Sequence, residues 1–219
     1  MFYRVLRAFV LTIFKVVFRV RVEGKEHVPR SGAYIVAPSH RSILDIPFAA
    51  SITRRRIRFM AKKELFSTWI GRKVFQALAA IEVDREVADR SALRTAQEAL
   101  RSGEPVGVFP EGTRHTGPTL GDMHDGAAYL ARRIGVPIVP VGVGGSEKIM
   151  ERGRLFPRFH KVVVVVGPPL VPEDDASTSH RRSAARELTA ALRVQLQECF
   201  DAARRGAGES ARDEVGQRG

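Results

Sequence analysis

The sequence predicts an α/β fold, a mainly parallel sheet flanked by helices, and three observations predict it. Short strand-like apolar runs alternate with longer helix-like runs through most of the chain, the pattern that strand-to-helix crossovers leave. Val162 to Val166 is an unbroken β-branched run, as suits a strand buried on both faces. With 219 residues and 44% apolar content, the chain fills one sizeable core and leaves little for a second.

The first 22 residues carry Arg4, Arg7, Lys15, Arg19 and Arg21 and no acid. On a helical wheel Arg4, Arg7, Lys15 and Arg19 fall within about 120°, with Phe2, Leu6, Phe9, Ile13, Val16 and Val17 on the opposite face. Residues 1–24 are therefore expected to form an amphipathic helix. One role for it is to lie in the interface of an anionic membrane, and the other is to pack on its own domain. The apolar run between Arg7 and Lys15 is short and no small-residue cleavage site follows, so a signal peptide is not expected. No window approaches the roughly 18 uninterrupted apolar residues of a membrane span.

After Gly24 and Pro29 comes the α/β domain, expected over 25–205. Its strands are expected at 33–37, 57–61, 80–83, 105–109, 137–141 and 161–166, and its helices at 43–53, 65–78, 88–101, 126–134 and 178–204. From Gly206 the chain is polar and lacks an apolar period, so 206–219 is expected to be a disordered tail. Trp69 and its apolar neighbours are expected in the core or lining an apolar pocket.

The formal charge of +12 implies an anionic partner. Cys199 is the single cysteine, which excludes an intrachain disulfide and a cysteine-rich zinc site and suits a reducing compartment. A G-x-S-x-G elbow, a G-x-x-x-x-G-K-[ST] phosphate loop and an H-E-x-x-H zinc helix are all missing from the sequence. Gly142-Val143-Gly144-Gly145 lacks the spacing of a dinucleotide-binding turn. What is left is a base without a nucleophile, which points to direct transfer with attack by a substrate hydroxyl.

That base is in Ser39-His40-Arg41-Ser42-Ile43-Leu44-Asp45, between the strand at 33–37 and the helix at 43–53. Five residues of one straight helix would splay His40 and Asp45 by roughly 140°. With His40 in the strand-to-helix turn and Asp45 in the first helical turns, the carboxylate accepts the Nδ1 proton and leaves Nε2 free as a base. Taken alone, such a pair is more often a cap or a surface feature. The second informative stretch is Val108-Phe109-Pro110-Glu111-Gly112-Thr113-Arg114, where a strand breaks at Pro110. Gly112 permits a positive φ that turns backbone N–H groups inward, and Arg114 offers a planar fork for a phosphate. An ordinary charged turn is the alternative reading.

Together these stretches resemble the first and third signature blocks of the glycerolipid acyltransferases, the 1-acylglycerol-3-phosphate acyltransferase (lysophosphatidic acid acyltransferase) family. The second block has a counterpart in Ala61-Lys62-Lys63-Glu64-Leu65 leading to Ile81-Glu82-Val83-Asp84-Arg85. The fourth has one in Val136-Pro137-Ile138-Val139-Pro140-Val141. The resemblance covers roughly residues 28 to 170, with four blocks in the family's order. It departs at Ser39, where asparagine is usual, at Ala79 and Glu82, at His115-Thr116, and at Met123-His124-Asp125-Gly126.

The resemblance implies transfer of a fatty acyl group from acyl-CoA or acyl-ACP to the free hydroxyl of 1-acylglycerol 3-phosphate, giving phosphatidic acid. The thioester is a co-substrate, and neither a bound cofactor nor a metal is expected. Carried over by position, His40 is the general base and Asp45 orients it. Lys62, Arg85 and Arg114 hold the acceptor phosphate, and Glu111, Gly112 and Thr113 shape that site. The alternatives are acylation of glycerol 3-phosphate or another polar-lipid alcohol, and a non-catalytic module that binds anionic lipid. An alcohol needs a base to attack a thioester, and the developing oxyanion needs N–H donors, expected near the start of the 43–53 helix.

Arg54-Arg55-Arg56-Ile57-Arg58 and the stretch from Arg152 to Lys161 are further basic patches. The first suits anionic headgroups, coenzyme A phosphates or an acidic carrier, or else is a solvated helix end; the second, interleaved with Leu155, Phe156 and Phe159, suits stacking on nucleic acid or a loop seated on the interface. The partners expected are an anionic membrane surface, a lysophospholipid acceptor and an acyl donor, with no nucleic acid. The expected location is peripheral, on the cytoplasmic face of the cell membrane.

Overall fold

The structure is a computed structural model that describes residues 12, 16–69, 72–73, 80–83, 90–149, 158–173 and 181–209. Among them seven strands form one sheet: β1 (Arg21–Glu23), β2 (Ile35–Pro38), β3 (Arg58–Lys62), β4 (Ile81–Val83), β5 (Val106–Gly107), β6 (Ile138–Gly144) and β7 (Val163–Val166). Their order is β1-β7-β6-β2-β5-β3-β4. The helices are α1 (Asp45–Ala50), α2 (Arg90–Arg101), α3 (Gly126–Ile134), α4 (Ser146–Ile149) and α5 (Arg181–Ala207).

The register aligns the strands that matter for function. Ile35 of β2 lies opposite Val106 of β5 and Ile138 of β6, Arg58 of β3 lies opposite Val106, and Met60 lies opposite Ile81 of β4, all in parallel pairs. Five consecutive strands therefore point the same way, and their carboxyl ends share one edge of the sheet. Only β7 runs against its neighbour β6, with Val141 opposite Val166. The sheet is mainly parallel, as expected.

Alternate strand residues serve two cores, because successive side chains face opposite sides. Val36, Val139, Val141 and Val143 pack with Phe18, Phe48, Ile52 and Val164 on one face. Ile35, Ala37 and Ile138 pack with Ala96, Leu100, Leu130 and Leu192 from α2, α3 and α5 on the other. Both faces are covered, which explains why these strands read as continuous apolar runs.

Helix α3 begins and ends where the sequence places it, stopped by Gly135 at φ 74° with its N–H on the Ala131 carbonyl. Elsewhere there are corrections. Most of the predicted 1–24 amphipathic helix lies outside the described residues, but its last part is not helical: Phe18 is buried edge-on against Phe48, and Arg21–Glu23 pair with β7. The alternation Val20-Arg21-Val22-Glu23 is the period of a strand with one buried face, so residues 18–24 fall outside the expected helix.

At the other end α5 continues through Gly206 and Ala207, and Glu209 is paired with Arg204 at 2.9 Å while accepting the Gly145 N–H. Residues 206–209 are thus not part of a disordered tail, because Ala207 is buried beside Gly145 and the last turn has partners; residues 210–219 lie outside the described residues. The helix expected at 43–53 is shorter, since residues 41–44 form a turn tied to Asp45. Trp69 is 76% exposed, not in a core. A 3-10 turn at Lys63–Phe66 buries Phe66 instead.

Candidate active site

Strand β2 is buried throughout and delivers Ser39 to Ser42 at the carboxyl edge. Ser39 continues the β2–β6 pairing: its N–H donates to the Val141 carbonyl, and its Oγ accepts the Val143 N–H at 3.0 Å. This serine braces the turn. The chain then wraps around Asp45, which is fully buried in the first turn of α1. Asp45 Oδ2 accepts the N–H of Arg41 at 2.6 Å and of Ser42 at 2.7 Å, and lies 3.1 Å from His40 Nδ1.

An ionised carboxylate only accepts hydrogen bonds, so Nδ1 carries the proton and Nε2 keeps its lone pair in the neutral ring. Nε2 has no hydrogen-bond partner among the described residues. The ring stacks on Phe109 with centroids 3.9 Å apart, and the residue is only 7% exposed. His40 is thus held by its Nδ1 and by one face.

The same histidine is tied by its backbone to the Glu111 block. The His40 N–H donates to Glu111 Oε1 at 2.8 Å, and its carbonyl accepts the His115 N–H at 3.0 Å and an Arg41 guanidinium N–H at 3.0 Å. Arg41 and Glu111 form a buried ion pair at 2.9 Å, with side chains 1% and 0% exposed. Glu111 Oε2 also accepts the Gly121 N–H, while Arg41 donates to the carbonyls of Gly117 and Thr119 and lies over the Phe200 ring at 4.5 Å. A buried pair like this requires its remaining donors and acceptors to be matched, and they are. Glu111 therefore shapes the loop from inside, its carboxylate fully engaged with protein.

Gly112 adopts φ 67°, and an added Cβ would meet the His124 ring, so both its backbone and its missing side chain are used. Thr113 and Arg114 are exposed on the rim. Since His115 is bonded to the His40 carbonyl, Arg114 is one residue from the His40 turn. His115 lies 3.3 Å from Thr113 Oγ1, and its ring fills the space a side chain at Gly121 would need. Lys62 ends β3 on the same edge, and Arg85 lies outside the described residues, two positions beyond β4. The block residues described in the structure thus share the edge that carries His40.

Of the turn's amides, those of Arg41, Ser42, Leu44 and Asp45 are bonded within the turn. Ile43 N–H has no partner among the described residues, and its side chain is exposed. Glu147, which accepts the Gly117 N–H, has its carboxyl pushed up by burial, against the opposing pull of that N–H and of Arg41. Among the described residues no group of three or more His, Cys, Asp or Glu is placed to hold a metal ion.

Sequence reasoning missed Arg41, Phe109, Glu147 and the contributions of α5. Arg41 sits inside the first block, so its burial partner, 70 residues on, is invisible to local pattern. The only available signal is that Arg41 and Glu111 carry opposite charges, one in each of the two blocks.

The Acyltransferase family model matches residues 19–144. The 1-acyl-sn-glycerol-3-phosphate acyltransferase of Bacillus subtilis (strain 168) is 32% identical over 181 residues, covering 82% of this chain and 87% of that protein. The human 1-acyl-sn-glycerol-3-phosphate acyltransferase alpha is 34% identical over 173 residues, 74% of this chain and 60% of that one. The crystal structure of the 1-acyl-sn-glycerophosphate (LPA) acyltransferase PlsC from Thermotoga maritima matches with a TM-score of 0.66 at 26% identity, over 97% of this chain and 82% of that chain.

Proposed function

This chain belongs to the acyltransferase family, and on that premise we propose that it transfers a fatty acyl group from acyl-CoA or acyl-ACP to the free hydroxyl of 1-acylglycerol 3-phosphate, giving phosphatidic acid. The observation that carries this reading is His40, with Nδ1 on buried Asp45 and Nε2 without a protein partner.

In the reaction Nε2 takes the hydroxyl proton as the acceptor oxygen attacks the thioester carbonyl carbon. The negative charge passes to the carbonyl oxygen, and the N–H of Ile43 is the amide of this turn left to meet it. Collapse of the tetrahedral intermediate breaks the C–S bond, and the departing sulfur takes the proton back from Nε2. Asp45 holds the imidazolium through Nδ1 throughout, and a base placed in this way contributes about 10²–10⁴-fold.

Lys62, Arg85 and Arg114 bind the acceptor phosphate in this reading, with Gly112 and Thr113 shaping its site. Fixing the phosphate end selects which hydroxyl meets Nε2, an orientation effect of several kcal/mol. The position of Arg114 one residue before the His40-bonded His115 supports this. The acceptor is a membrane lipid and the donors are water-soluble thioesters, so transfer takes place at a membrane surface, and the cationic, apolar stretch before residue 18 supports peripheral attachment to anionic lipid on the cytoplasmic face. Among the described residues no helix is long and apolar enough to cross a bilayer.

The test is to incubate purified protein with labelled acyl-CoA or acyl-ACP and a panel of acceptors. Label appearing in phosphatidic acid from 1-acylglycerol 3-phosphate is the expected result. Label only in acylated glycerol 3-phosphate, or in no acceptor, overturns the assignment.

A further inference from the structure

Helix α5 begins 37 residues beyond the span that the family model matches, yet it reaches the catalytic turn. We propose that Gln197, with Arg193, is a positioning residue for acyl transfer: from α5 these two side chains clamp the 117–121 loop against Arg41 and Glu111, and so fix His40.

Residues 117–121, Gly-Pro-Thr-Leu-Gly, belong to no helix or strand, so their backbone groups need outside partners. They find them alternately on two sides. Toward the site, the carbonyls of Gly117 and Thr119 accept from Arg41 at 3.2 and 2.9 Å, and the Gly121 N–H donates to Glu111 at 2.8 Å. Toward α5, the Pro118 carbonyl accepts from Gln197 Nε2 at 3.0 Å and the Leu120 N–H donates to Gln197 Oε1 at 2.9 Å. Arg193 adds donors to the carbonyls of Leu120 and Gly121 at 3.3 and 3.1 Å.

The loop thus has two bonded sides, one toward the catalytic turn and one on the helix. Leu120 anchors it by burial against Leu196 and Phe200 of α5. Without the hydrogen bonds to α5, the loop keeps only the burial of Leu120 and the Gly117 N–H on Glu147, and the carbonyls that hold Arg41 and the amide that holds Glu111 are less firmly fixed. Arg41 and Glu111 in turn hold the carbonyl and the N–H of His40. A displacement of order 1 Å passed along this chain costs turnover steeply, about 10²-fold, without touching the substrates.

The inference rests on the acyl-transfer reading, and its test separates the two. In the full-length chain, Gln197→Ala is expected to lower kcat by about 10- to 100-fold with KM for donor and acceptor within about twofold and Tm within a few degrees. Gln197 Nε2 also donates to Asp201 at 2.8 Å, so a glutamate here would face a second carboxylate; Gln197→Met keeps the side chain's length, makes neither loop bond and should lower kcat as far as Gln197→Ala does. Arg193→Ala should lower kcat in the same direction.

Amide hydrogen exchange gives a readout that needs no activity: in Gln197→Ala the amides of Leu120, Gly121 and His40 should exchange faster, while those of β6 do not. A wild type that transfers no acyl group defeats the functional reading, and exchange alone then decides the clamp. A Gln197→Ala protein with wild-type kcat per folded molecule, or with unchanged exchange at His40, overturns the clamp while leaving the acyltransferase intact.

Discussion

At His40 each polar group but one is committed: the N–H to Glu111, the carbonyl to His115 and Arg41, and Nδ1 to Asp45. What remains is Nε2, and this is why one imidazole in a chain with six histidines can act as a directed base. Asp45→Asn is the test at this scale. An asparagine oxygen can still accept the Arg41 and Ser42 amides, so the turn should be kept, with Tm lowered by the amide NH2 left without a partner where buried Oδ1 stood. The negative charge that steadies the imidazolium is gone, and kcat should fall by about 10²-fold or more. A variant with unchanged kcat would remove Asp45 from the mechanism. The His40 and Asp45 pair was legible because strand, turn and helix signals adjoin in sequence. The Arg41–Glu111 pair was not, because it forms only when β2 and β5 lie side by side. Glu111 was expected near the acceptor, and its carboxylate is instead consumed inside the loop.

Among the elements, the sheet was readable from apolar runs and turn residues, and β1 was not. Its four-residue alternation follows directly on an amphipathic stretch, and a helical period absorbed it. Helix α5 was legible as a helix but not as a part of the site, since nothing at Gln197 marks its partner loop some 77 residues earlier. Its closeness to β6 is set by glycines: a Cβ on Gly142 would overlap the backbone of Cys199 and Phe200, and one on Gly144 the backbone of Ala203 and Arg204. Backbone cannot swing aside as a side chain can. Gly142→Ala should therefore destabilise by about 3 kcal/mol or more, at the upper end for overpacking, as read by urea denaturation. A change under about 0.5 kcal/mol would mean that α5 does not sit this closely on the sheet.

For the whole molecule, the single thiol reports on both packing and pH. Burial, aided by the nearby Glu198 carboxylate, pushes Cys199 from its ordinary value near 9.0 up to about 11. In that interval the folded thiol keeps a proton that the unfolded chain releases, so the unfolded state binds fewer protons and stability falls as pH rises. The slope is about 1.4 kcal/mol per pH unit from this group. Stability measured from pH 8 to pH 10.5 should fall less steeply in Cys199→Ala than in wild type. Parallel curves would show that the thiol is not buried. The charge of +12 read from composition fits an anionic partner, yet composition gave no sign that one of the arginines, Arg41, is sealed inside.

The central claim is that Nε2 of His40 takes the acceptor's proton, and acyl transfer by His40→Ala on anionic vesicles tests it most directly. Binding to the vesicles should be unchanged, while kcat/KM for labelled acyl-CoA and 1-acylglycerol 3-phosphate should drop by about 10²–10⁴-fold. Turnover equal to wild type in a folded, vesicle-bound His40→Ala protein would contradict it.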